Sequence, residues 1–213
     1  MKHYTHLIWD FNGTILDDVD ACIASANQLL VAHNLSPIAS KEQYRSLFGF
    51  PVIDYYRRLG FDFDKLPYDD LAVEWVAYYL ENSKHAPLCP DVAETLAAAS
   101  KTGICQMILS ATELTMLEGQ VASLGIRPYF DRLLGLENIH AFSKEEVGRR
   151  WKEKNPDARI LMVGDTDHDA QVAQAIGADC VLLTTGHQNR ETLEKLPCLT
   201  VADSAKAVLE LIS

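Results

Sequence analysis

From Pro87 onward the chain alternates apolar, strand-like runs with helical segments, and that alternation restricts its fold more than any other feature. The runs are Ile104–Leu109, Arg132–Leu136, Arg159–Val163 and Asp179–Leu183, with a shorter one near Leu199. An earlier run, Tyr4 to Asp10, opens the chain. The intervening segments Pro90 to Thr102, Glu113 to Leu124, Ser143 to Lys154 and His168 to Ile176 carry helical patterns, three of them closed by Gly103, Gly125 and Gly177. A last helix starts at Ser204. Such alternation implies an α/β fold, with a parallel sheet covered by helices on both faces.

Residues 16–85 interrupt the pattern and read as helix throughout. Ala21 to His33 has apolar residues at helical spacing and stops at Asn34. Ser40 and Gln43 form a capping-box pattern ahead of a second helix. Pro51 to Leu59 ends at Gly60, and Asp69 or Asp70 can cap a helix with Leu71, Trp75, Val76 and Tyr79 on its apolar face. The division expected is therefore an α/β core at 1–15 and 86–213, with 16–85 inserted as an all-helical module.

At 213 residues the chain has room for one sizeable core, or a core plus a small module. Its net charge of −11 argues against a nucleic-acid partner and against anionic membrane surfaces. No apolar run is long enough to span a bilayer, and the N-terminus lacks a signal-peptide pattern. The cysteines, five in number, are widely spread and contain no Cys-x-x-Cys pair, which fits buried thiols in a reducing, cytoplasmic setting. Monomer and dimer both remain open. An anionic small substrate would need a local positive device: a metal, a lysine or helix N-termini.

The chemistry-bearing residues gather where strands end. Asp10-Phe11-Asn12-Gly13-Thr14-Ile15 follows the first run, Ser110 follows Ile104–Leu109, and Gly164-Asp165-Thr166-Asp167-His168-Asp169 follows Ile160–Val163. In open α/β sheets the carboxyl edge is where ligands bind. Lys144 joins them on different grounds. Ser143 and Glu146 make a capping-box pattern that puts Lys144 in the first helical turn, where the helix dipole disfavours a cation by roughly 0.3–1 kcal/mol. A residue that breaks a local rule marks a functional position.

Asp10, Ser110, Lys144 and the Gly164–Asp169 loop, in that order, resemble the motifs of haloacid dehalogenase (HAD)-type phosphohydrolases. The helical insertion, with its turn Ser46-Leu47-Phe48-Gly49-Phe50-Pro51, resembles the cap of the phosphoglycolate phosphatase-like and β-phosphoglucomutase-like members. The resemblance implies a Rossmann-like core, a helical cap, Mg²⁺ and a small phosphorylated metabolite as substrate. It makes Asp10 the nucleophile that forms an aspartyl phosphate. Ser110 would hydrogen-bond a phosphoryl oxygen and Lys144 would neutralise its charge. The metal would be held by Asp10, Asp165 and the main-chain carbonyl of Asn12, while Asp169 holds a metal-bound water or Lys144.

The family usually reads Asp-x-Asp-Gly-Thr, and its second Asp is the general acid and base. This chain has Asn12 there, which can hydrogen-bond but cannot deliver or accept that proton at neutral pH. The loss is about 10²–10⁴-fold in rate, or roughly 3–5 kcal/mol of barrier. Substrates with good leaving groups, such as acyl or aryl phosphates, would suffer less. The leading expectation is a phosphatase with weakened or altered activity; the alternative is a phospho-ligand-binding protein with little catalysis. His168 is a candidate for the missing acid and Arg45 for reading the leaving group. Asp17 and Asp18 read as helix caps, and His140 as an ordinary core or surface residue.

Overall fold

The computed structural model describes residues 4–137 and 143–212. Among them six strands, β1 (His6–Trp9), β2 (Cys105–Glu113), β3 (Arg132–Leu136), β4 (Ile160–Gly164), β5 (Asp179–Leu183) and β6 (Thr200–Ala202), form one sheet in the order β3-β2-β1-β4-β5-β6. Every pairing is parallel, and His6 lies opposite both Cys105 and Ile160. Successive side chains along a strand point to opposite faces. Leu7 and Trp9 accordingly join Ile108, Leu161, Val163 and Val181 in one apolar layer, while Ile8 joins Met107, Leu109, Met162 and Leu182 in the other. Both faces are buried, so the strands read as continuous apolar runs.

Four helices, α1 (Val19–Ala32), α2 (Lys41–Leu47), α3 (Val52–Arg58) and α4 (Tyr68–Asn82), lie between β1 and the rest of the α/β pattern. They share a separate apolar cluster that includes Leu29, Leu30, Tyr44, Tyr56 and Leu71. The segments entering and leaving this block run side by side: the Asp17 amide donates to Pro87 O at 2.8 Å and the Cys89 amide to Ile15 O at 2.8 Å. Beyond it, α5 (Val92–Ser100) and α6 (Leu114–Ser123) pack on the Leu7/Trp9 face, and α7 (Lys144–Lys154) and α8 (Asp167–Ala175) on the Ile8 face. The short α9 (Arg190–Leu193) and terminal α10 (Ala207–Ile212) complete the series.

Boundaries differ from the sequence reading for local reasons. β2 does not stop at Leu109; after a shift of register it pairs Glu113 with Leu136, so Ser110 sits at the irregularity. Helix α4 starts at Tyr68 behind Pro67, with Asp69 and Asp70 inside its first turn and neither at the cap. Their charges suit the positive helix end there. Gln43 Oε1 accepts from the Ala39 amide, one residue before the Ser40 cap. Helix α9, only four residues long, has too little periodicity to be seen in advance.

Among the described residues no helix is long and apolar enough to cross a membrane. All five cysteines are free. Leu71 is fully buried in the insertion's own cluster. Leu71→Ala should therefore lower stability by about 2–5 kcal/mol, read as a lower urea midpoint at an unchanged slope.

Candidate active site

Strand β1 is the switch point of the sheet: the chain reaches its neighbours β2 and β4 by connections that leave in opposite directions. Asp10 follows β1, Asp165 follows β4 and Ser110 lies near the end of β2, so all three meet at one edge. Gly13 makes the turn after β1 with φ of +74°, and a methyl group there would collide with Asp165 and the His187 ring.

Asp10, Asp165 and Asp169 are buried, and one carboxylate oxygen from each lies within 4.8 Å of the others. Lys144, from the first turn of α7, inserts its buried ammonium between them. It bonds Asp10 Oδ1, and Asp169 Oδ1 at 2.5 Å. Burial works against the Lys144 charge, but the two carboxylates outweigh it and raise its pKa. Asp169 is fixed from the other side, its Oδ2 accepting from the Asp165 amide at 3.1 Å, the Thr166 amide at 3.0 Å and the Thr166 hydroxyl at 2.7 Å. Burial tends to raise the Asp169 carboxyl, yet Lys144 and these donors hold it below its usual value. Asp10 moves the other way: burial, then the Asp169 charge, push it well up. Asp165, held by Thr14 Oγ1 at 2.8 Å and the His187 amide at 2.7 Å, is pushed up to about 6, chiefly by burial.

Asn12 belongs to a second network. Its Nδ2 donates to Asp18 Oδ2 at 2.8 Å and to Tyr79 Oη at 2.7 Å, and its Oδ1 accepts from Thr112 Oγ1 at 3.0 Å. The Asp18 carboxylate also accepts from the Gly13 amide at 2.9 Å and Tyr79 Oη at 2.6 Å, and faces His187 Nε2 at 3.3 Å. On the far side of the ring, His187 Nδ1 lies 2.9 Å from Tyr44 Oη. Burial disfavours both charges of the Asp18–His187 pair, but each partner outweighs it. Asp18 is lowered and His187 is raised from 6.5 to about 9. Cys22 also approaches Asp18 and His187 at metal-ligand range. The donors already on the Asp18 carboxylate leave little room for a cation there.

The family model described as haloacid dehalogenase-like hydrolase matches residues 7–183. The chain belongs to the haloacid dehalogenase-like hydrolases. It is 25% identical to a phosphoglycolate phosphatase of Pectobacterium atrosepticum over 97% of this chain and 91% of the relative. It is 27% identical to one from Rhodobacter capsulatus, over 90% of this chain and 89% of that one. A haloacid dehalogenase-like hydrolase from Streptococcus pneumoniae superposes with a TM-score of 0.84 at 19% identity, covering 100% of both chains.

For this haloacid dehalogenase-like chain, the structure thus brings together Asp10, Lys144, Asp165 and Asp169, with Asn12 in the turn after β1 and Ser110 at the irregularity within β2. Arg45 donates through its guanidinium to Gly186 O and Thr185 O, both at 2.8 Å, in the loop after β5 whose His187 amide bonds Asp165. His168 stacks on Phe50 with ring centroids 4.7 Å apart, and its pKa is lowered by burial and by Lys144. Asp18 stands at the N-cap of α1 but makes no side-chain capping bond, because its carboxylate serves Gly13, Asn12 and Tyr79 instead. His140 lies outside the described residues. The sequence assigns no site role to His187, Thr112, Tyr79 or, beyond its place in the first motif, Thr14. His187 had a signal: Thr184-Thr185-Gly186-His187 follows an apolar run, as Asp10 and Asp165 do.

The Asp18–His187 pair gives a pH signature. The raised His187 contributes stability that is complete below pH 6.5 and lost as pH rises toward about 9, because only the folded state keeps the proton in that window. Chemical denaturation between pH 6.5 and 9 should show stability falling with pH. The corresponding slope should be smaller in His187→Gln.

Proposed function

We propose that the chain is a Mg²⁺-dependent phosphatase of small phosphorylated metabolites that carries the phosphoryl group transiently on Asp10. The observation that supports this most is the meeting of Asp10, Asp165, Asp169 and Lys144 at the switch point of a haloacid dehalogenase-like sheet. The phosphoglycolate phosphatases among its relatives favour a small phosphorylated metabolite; phosphoglycolate itself is an alkyl phosphate, which Asn12 places among the slower substrates of this site. Residues 16–85 are the cap and 1–15 with 86–213 the core. The free cysteines suit a cytoplasmic, reducing setting.

The donor set fits a hard cation. Mg²⁺ takes oxygen ligands, typically one or two carboxylates with substrate and waters. Asp10, Asp165 and the Asn12 carbonyl would hold it, while Asp169 keeps Lys144 in place and can retain a metal-bound water. Charge points the same way. Four buried carboxylates, Asp10, Asp18, Asp165 and Asp169, stand against the cations Lys144 and His187. The remaining negative charge would repel a phosphate dianion, and a divalent cation held by these residues would supply the positive charge that offsets it. The Asp10 carboxylate attacks phosphorus and the P–O bond to the leaving-group oxygen breaks, while Lys144 neutralises the transferred oxygens and Ser110 fixes one of them through a hydrogen bond. Water finally hydrolyses the aspartyl phosphate.

Asn12 shapes the substrate range. With no proton carrier at that position, departure of an alkoxide is slow, whereas the carboxylate of an acyl phosphate or the phenolate of an aryl phosphate departs with less need of a proton. Acetyl phosphate and p-nitrophenyl phosphate should be hydrolysed with Mg²⁺, and simple alkyl phosphates roughly 10²–10⁴-fold more slowly. EDTA or Asp10→Asn should abolish turnover. Phosphate binding without hydrolysis of any of these compounds would transfer the site to the phospho-ligand-binding reading.

A further inference from the structure

We propose that Asn12 is a positioning residue. Its amide joins the Ser110–Thr112 hydroxyl pair of β2 to Asp18 and Tyr79 of the helical insertion, making the grip on the phosphoryl group and the seating of the insertion one hydrogen-bonded unit. This rests on the phosphatase reading only in taking Ser110 as a phosphoryl ligand.

The bonds run without a break. Ser110 Oγ donates to Thr112 Oγ1 at 3.0 Å, and the Thr112 amide returns a bond to Ser110 Oγ at 3.0 Å. Thr112 Oγ1 donates to Asn12 Oδ1 at 3.0 Å. Asn12 Nδ2 then donates to Asp18 at the head of α1 and to Tyr79 near the end of α4. Tyr79 closes the loop on Asp18. When Ser110 Oγ donates its hydrogen bond to a phosphoryl oxygen instead, the Thr112 amide still holds Ser110 Oγ and Thr112 still donates to Asn12. The connection therefore survives occupancy of the site.

Only an amide meets these demands. Position 12 must accept from Thr112 and donate twice, and an asparagine side chain has both an acceptor oxygen and two N–H donors. The amide orientation follows from its neighbours, since the reversed one would turn its oxygen toward the Asp18 carboxylate. An aspartate at 12 has no N–H to give and would set a second negative charge against Asp18 at hydrogen-bond distance. The carboxylate missing from position 12 is thus present one hydrogen bond away, at position 18.

The test measures orthovanadate affinity with Mg²⁺, and amide exchange of α4, in the wild type, Tyr79→Phe, Asn12→Ala, Asn12→Asp and the swap Asn12→Asp/Asp18→Asn. Vanadate should slow exchange in α4 of the wild type. Tyr79→Phe, remote from the phosphoryl group, should weaken vanadate about five- to tenfold, the net worth of one hydrogen bond. Asn12→Asp should weaken it at least as much. The swap, which restores one carboxylate and one amide, should recover most of that loss. Equal vanadate affinity in Tyr79→Phe and wild type, or a swap no better than Asn12→Asp, would overturn the proposal. If the wild type binds no vanadate, the phosphatase reading fails, and α4 exchange in Asn12→Ala still decides the link: faster exchange supports it and unchanged exchange refutes it.

Discussion

Four buried carboxylates crowd the carboxyl edge of β1 and β4, and the surrounding structure is arranged to hold them together. Like charges at this range in a poorly solvated site repel strongly, and an unpaired buried ion typically costs several kcal/mol. Lys144 joins Asp10 to Asp169, His187 faces Asp18, and backbone amides serve Asp165 and Asp169. The sheet order brings these groups to one point by placing β1 between β2 and β4. The glycines at positions 13, 164 and 186 follow from the same crowding, since a Cβ at any of them would strike Asp165 or Asp169.

The insertion depends on this arrangement too. Its helices have their own apolar cluster, but their polar links to the core pass through the site loops. Tyr79 reaches Asn12 and Asp18, Tyr44 reaches His187, and Arg45 holds the carbonyls of Thr185 and Gly186. Phe50 lies on His168. A shift of the insertion would disturb groups that also fix Gly13 and Asp165. Geometry of this kind ties the packing of the whole block to the site loops.

Much of this was legible in the sequence, for a physical reason. A strand buried on both faces must be apolar throughout, so its end is marked wherever polar residues begin; Asp10, Ser110 and Asp165 stand out on that ground. Lys144 announced itself by opposing a helix dipole. An aspartate before a helix ordinarily caps it, and nothing local reveals that Gly13, Asn12 and Tyr79 occupy the Asp18 oxygens. Tyr79 lies far along the chain from Asn12 and sits in an amphipathic pattern that needs no function. Asn12 read as a loss while only its own chemistry was visible. Its partners show what the amide does.

The central claim is that Asp10 is the phosphoryl carrier. The most direct measurement is mass spectrometry of the protein quenched in acid after brief exposure to acetyl phosphate and Mg²⁺. One added phosphoryl group on the peptide containing Asp10, absent when Mg²⁺ is withheld, is the result this account predicts. A protein that hydrolyses acetyl phosphate while Asp10 stays unmodified, or that carries the group on another residue, would contradict it.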